Sequence, residues 1–208
     1  MVETIMPTAD SAEARKRMGL PLAVPDGRPD AAVSAFVNEW YGRLVLPGDE
    51  RWMNLSTKAC LAAGLADPVL RGVAAWSLAE RTPPSPERMA AVAAGPERAK
   101  TAFAAVLSDT LWMPDRNRLT RIDRDLKQVA DAMADKTGIL TLRAYMGWLA
   151  SDVTRLQICM TRLAASGGRV DDLGACMAFC LLCGILPAGR TMDPIVEGIP
   201  DPFGKAAA

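Results

Sequence analysis

The sequence predicts an all-α fold, a multi-helix bundle of about seven helices. Three observations carry this. Apolar residues recur at spacings of 3 and 4, as in Leu119, Ile122, Leu126, Val129 and Met133, which places them on one helix face. No segment sustains a period-2 alternation, and runs of β-branched residues are absent, so strands leave no signature. Asp-Pro, Ser-Pro and glycine stand where helices should start and stop.

In chain order, residues 1–28 read as an arm punctuated by Pro7, Pro21, Pro25 and Gly27, with room for a short helix over Ser11–Met18. The helical domain spans 29–187. Asp30 caps a first helix with Val33, Phe36, Trp40 and Leu44 in one stripe, ended by Pro47-Gly48. A second covers Leu55–Leu65. Asp67-Pro68 starts a third, carrying Val69, Val73 and Trp76 and stopped by Thr82-Pro83-Pro84. Ser85-Pro86-Glu87 starts a fourth, through Met89 and Val92 to Gly95. Pro96 opens a fifth that buries Phe103, Val106 and Leu107 before the break at Pro114.

The most regular pattern follows. The stripe from Leu119 to Met133 is succeeded, after Thr137-Gly138, by Ile139, Leu142, Met146, Leu149, Val153, Leu156, Met160 and Leu163, an unbroken 3-4 seam. It predicts two long helices folded as an antiparallel hairpin over 118–165, with Gly138 as the left-handed residue ending the first. The second would be one helix about 38 Å long. Ser166-Gly167-Gly168 breaks it, and Asp171 or Asp172 caps a last helix, Leu173–Leu186. That helix is apolar on nearly every side, which predicts a place at the centre of the bundle. Residues 188–208 read as an extended tail.

Composition excludes several classes of function. The 208 residues include 24 Lys and Arg, 24 Asp and Glu, and no histidine. Zero net charge supplies no long-range attraction to nucleic acid or anionic lipid. Without histidine there is no Ser-His-Asp or Cys-His catalysis and no histidine metal site. The polar start shows no signal peptide, the longest apolar run is shorter than the ~20 residues of a membrane helix, and five cysteines fit reduced thiols. A cytoplasmic protein with no cofactor and no membrane association is expected.

Cys176, Cys180 and Cys183 form C-x3-C-x2-C, a spacing similar to the cluster-binding triplet of radical SAM enzymes. Their apolar, helical context favours small buried hydrophobes instead; a metal or iron–sulfur site would add Cys159 as fourth ligand. Leu140-Thr141-Leu142-Arg143 with Trp148-Leu149-Ala150 resembles the first helix and turn of a helix-turn-helix, in which Arg143, Arg155 and Arg162 would serve nucleic acid. The seam running through the turn, and Ala150 where glycine is usual, count against it. Ala144, Trp148, Ser151-Asp152, Leu156, Met160 and Leu163 resemble the helix pair of a tetratricopeptide repeat. They equally resemble the W-x-x-G-D segment of an uncharacterised actinobacterial helical family, with Ser151 in place of the glycine. Asp67-Pro68-Val69-Leu70-Arg71 is similar to that family's D-x-x-V-R segment. The resemblance covers about 40 residues, no 34-residue repeat recurs, and the family implies no function.

Arg116, Arg118, Arg121, Arg124 and Lys127, interleaved with Asp115, Asp123 and Asp125, read as a solvated, ion-paired helix face. Arg118 and Arg121 are its candidate contacts for a partner, together with Trp52 and Trp112 at helix boundaries. The leading expectation is therefore a non-enzymatic helical interaction, assembly or regulatory protein, of the kind a phage or mobile element carries as an accessory or structural component. Its partner would be another protein or a second copy. A DNA-binding regulator using 140–165 ranks second, and a cysteine-ligated metal protein third.

Overall fold

The computed structural model describes residues 31–45, 53–95, 115–167 and 170–187. Within them the chain forms eight α-helices and no β-strand. The arm at 1–28, the cap Asp30, the stop at Pro47-Gly48, Trp52, the helix opened by Pro96, Trp112 and the tail lie outside the described residues.

Helix α1 (Ala31–Val45) buries Phe36, Trp40 and Leu44 as its stripe predicts. The Phe36 ring lies on the bare backbone of Gly64 in α2 (Leu55–Ala66), where a Cβ would come within 2.0 Å of it. The Trp40 indole N–H donates to Ser77 Oγ in α3 (Pro68–Ala79) at 2.8 Å. Asn54 caps α2 by accepting from the Thr57 N–H. Asp67 ends α2 and starts α3: its carboxylate accepts from the N–H groups of Val69 and Leu70. Pro68 stands in the first turn, where no N–H is needed. The corner turns the chain by 100°. Ser85 caps α4 (Pro86–Ala93), which buries Met89 and Val92.

Helix α5 (Arg116–Ala132) is capped by Asp115 and buries Leu119, Ile122, Leu126 and Val129, the first arm of the seam. The second arm differs from expectation. It is two helices, α6 (Thr137–Leu149) and α7 (Val153–Ala165), not one. Ser151 takes a left-handed φ of 57°. Its N–H donates to the Trp148 carbonyl and that of Asp152 to the Gly147 carbonyl, the bonds by which a helix ends on a left-handed residue. Asp152 then caps α7 by accepting from the Arg155 N–H at 3.0 Å. The seam survives because each half keeps its own inward face: Leu142, Met146 and Leu149 on α6, Leu156, Met160 and Leu163 on α7, all buried. Of all the helix pairs, α6 and α7 pack most extensively. Gly147 permits this, since a Cβ there would sit 2.8 Å from the Leu156 nitrogen.

A left-handed serine carries a steric cost of about 1 kcal/mol that glycine does not. Ser151→Gly is therefore expected to raise the unfolding free energy by about that amount in urea titration. Ser151→Val should lower it.

Gly138 does not end α5. It lies in the first turn of α6, with Leu65 of α2 directly against it. Helix α8 (Asp172–Cys183), capped by Asp171 and ended by Gly184 at φ 64°, is not central either. The centre is α6, on which every residue from Gly138 to Leu149 is buried. It packs against α2, α3, α5, α7 and α8, and α8 lies at the edge. Among the described residues no single helix is long and apolar enough to cross a membrane, and the apolar pair α2–α3 is broken by its bend.

Candidate functional site

The chemistry of the described residues divides into an internal ionic frame and one unusual surface. The frame is built on Arg71, Arg118, Arg121 and Arg143. Arg143 is the one charged side chain between Thr137 and Leu149, and it is buried. Its Nε donates to Asp123 Oδ1 at 2.8 Å, and Lys127 Nζ lies 3.3 Å from Asp123 Oδ2. Burial alone would push the Asp123 carboxyl up. The Arg143 hydrogen bond and charge, with Arg155 and Lys127 behind, outweigh this and hold it below the usual carboxylate range.

Arg118 and Arg121, the candidate partner contacts, also bond inward, to backbone carbonyls. Buried Arg118 donates from Nη2 to the carbonyls of Glu80 and Arg81 at the end of α3. Half-buried Arg121 donates to the Leu44 carbonyl at the end of α1. Guanidinium groups at helix C-termini meet unpaired carbonyls and the negative end of the dipole. Arg71, buried in α3, donates to the Leu65 carbonyl and to the carboxylate of Asp171, whose other oxygen caps α8. It ties the ends of α2 and α8 together.

The three arginines proposed for nucleic acid are not brought to one face. Arg143 is internal, Arg155 is partly buried with its Nε 3.2 Å from Asp152 Oδ2, and Arg162 is exposed. The cysteines do not gather as one ligand set either, among the described residues. Cys159 is buried beside the Asp123–Arg143 pair, and burial pushes its thiol up. On α8, Cys176 is half-buried, Cys180 buried and Cys183 exposed. Burial and the neighbouring thiols of Cys176 and Cys183 push Cys180 up to about 12. Three buried hydrophobes were expected there, and Cys180 alone is fully buried. Among the described residues no three of Cys, Asp and Glu converge as a metal site would require.

The surface is the outer face of α8. Phe179 and Leu182 are each 59% exposed, and Ile185, just past the helix, is 43% exposed. Ala175 and Cys183 are exposed on the same side, with Asp172 the face's one charge, at its N-terminal end. Gly174, Met177, Ala178 and Leu181 form the opposite, buried side. The Trp148 N–H donates to the Ile185 carbonyl and fixes the end of the strip. Isolated exposed apolar side chains are ordinary, but two large ones and a third within about two turns form a patch. The sequence showed the signal, an all-round apolar helix, and a central position was the wrong inference from it. No protein-family model, no curated protein and no solved structure matches this chain.

Proposed function

We propose that this protein is a non-enzymatic interaction and assembly module that docks through the exposed apolar face of α8. The observation that carries the reading is the pair Phe179 and Leu182, each 59% exposed on a helix whose other side is locked into the core. Solvated apolar area of this kind is recovered when a partner covers it, at roughly 25 cal/mol per Å² removed from water. Arg71 bonds Asp171 at the start of α8 and Trp148 bonds the Ile185 carbonyl past its end, so both ends of the face are tied to the core. A pre-organised face loses little entropy on docking.

The test is the double variant Phe179→Glu, Leu182→Glu. Its melting temperature should stay within about 2 °C of wild type, as expected for surface positions. In a fresh extract of expressing cells, wild type should elute above its 22.2 kDa chain mass and the variant at it. If both elute at the chain mass, the module reading fails. If the variant melts far lower, the face is core and the reading fails as well.

The DNA-binding alternative draws support from the turn at Ala150–Asp152 and from Thr154, Ile158, Thr161 and Arg162 exposed on α7. It lacks phosphate contacts: of its three arginines, Arg162 alone is exposed. A duplex affinity that falls steeply with salt and vanishes in Arg155→Ala, Arg162→Ala would restore it.

A further inference from the structure

We infer that α5, α6 and α7 together form a binding site for a phosphate dianion, free or on a small molecule, with Arg143 at its floor and Lys127, Arg155 and Arg162 around it. The site is independent of the α8 face and of the docking role. Placement, charge and unused hydrogen-bond donors point to it.

Three helices bring their cations to one carboxylate. Helices α5 and α7 both pack on α6, and Asp123 stands where they meet. Arg143 of α6 donates to one of its oxygens, and Lys127 of α5 lies at the other. The charge of Arg155 on α7 acts on the same carboxylate. Arg155, Cys159 and Arg162 stand at i, i+4 and i+7 on one side of α7, and the buried Cys159 thiol feels Arg143, Arg155 and Arg162 together. The cations lie at graded depth and not on one face. The Arg143 side chain is 9% exposed, that of Arg155 22% and that of Lys127 59%, and Arg162 is exposed. A funnel has this profile.

The four cations face two carboxylates, Asp123 and Asp152, which leaves an excess of two positive charges. Both Asp123 oxygens are engaged. Asp152 gives one oxygen to the α7 cap and the other to Arg155 Nε. The Arg143 guanidinium uses only its Nε. Among the described residues no acceptor takes a hydrogen bond from its Nη1 or Nη2, yet neither nitrogen is sealed from solvent. Donors recessed to this depth without an acceptor are costly, and an oxyanion that reaches them recovers the cost. The free edge of a guanidinium fits two oxygens of one phosphate. A carboxylate, with one charge, would leave half of the excess unmatched. A duplex backbone cannot descend to Arg143, whereas a single phosphate group can.

The experiment is calorimetric titration of the purified full chain with inorganic phosphate at about pH 8, where phosphate is a dianion, with sodium chloride holding the ionic strength constant. Wild type should bind one phosphate per chain and saturate. Sulfate should compete, and acetate should bind at least about tenfold more weakly for want of the second charge. Arg155→Gln and Arg162→Gln should each weaken phosphate about tenfold, as a lost charge-assisted hydrogen bond does. Arg116→Gln, exposed in the first turn of α5, removes the same net charge and should leave the affinity unchanged. A phosphorylated sugar that binds more tightly than the free ion places the phosphate on an organic carrier, and equal binding makes the free ion the ligand; both uphold the site. No saturable heat in wild type overturns it. Equal weakening by Arg116→Gln shows an adventitious ion only, held by net charge, and overturns it as well. Acetate that matches phosphate overturns the dianion. Should Arg155→Gln fail to fold, Arg162→Gln and Lys127→Gln, both at exposed positions, decide the outcome: unchanged affinity in both overturns the site.

Discussion

Replacing Asp123 by alanine is expected to lower the unfolding free energy by about 3–5 kcal/mol, because it leaves the Arg143 guanidinium buried inside α6 without its counter-charge. Arg143→Ala should cost less, because Lys127 stays 3.3 Å from the carboxylate. The double change Asp123→Leu, Arg143→Met removes both charges and keeps the volume, so it should fall within about 1 kcal/mol of wild type. Urea titration of the four proteins reads all three values. The same pair makes a pH prediction. The folded Asp123 carboxyl sits below its unfolded range. Its contribution is thus fully present above about pH 4 and is lost as pH falls through the folded value. The gap between wild type and Asp123→Asn should be widest near neutrality and should close in acid. A gap that stays constant from pH 7 to pH 2 would show that the charge is not what holds the pair.

Gly138→Ala is the second large effect, with an expected loss of about 3 kcal/mol. The added Cβ would stand 2.0 Å from the Leu65 carbonyl oxygen and 2.9 Å from Arg71 Nη1. Neither can yield cheaply: one is backbone, and the other is held by Leu65 and Asp171. Gly72→Ala supplies the control. It lies within α3 with nothing inside 4 Å of the new Cβ, so the better helix propensity of alanine should raise stability by about 0.5–1 kcal/mol. Opposite signs for the same substitution would locate the effect in the contact and not in the residue. A Gly138→Ala protein that melts with wild type would mean that α2 and α6 lie farther apart than described.

The helix ends were legible where side-chain chemistry is local. Asp67-Pro68, Ser85-Pro86 and Asp171 start the helices they were read to start, because a cap needs only its own next three residues. The stripes of α1 and α5 were legible for the same reason. The break at Ala150–Asp152 showed only in the helix-turn-helix and tetratricopeptide resemblances, and the unbroken seam outweighed them: a serine does the work usually done by glycine, and the 3-4 spacing runs on across it by coincidence of register. Arg143 was a candidate nucleic-acid contact in the helix-turn-helix reading because its partner is twenty residues away on another helix. A lone charge in an apolar stretch was the available signal. Nor could Arg118 and Arg121 be separated by spacing from their solvated neighbours, since what they bind is the carbonyls at the ends of α3 and α1. The outer face of α8 was legible as excess apolar character, but which helix takes the centre depends on the sum of all packing choices.

The Arg71–Asp171 pair spans 100 residues of sequence, and this bears on the order of events during synthesis. At about 5–20 residues per second, Arg71 leaves the ribosome some 5–20 s before its carboxylate exists. During that interval the α2–α3 corner holds a guanidinium that has the Leu65 carbonyl as acceptor but only water where its carboxylate will be. The nascent chain therefore completes its fold late, when the last helix arrives and its capping aspartate closes the circuit.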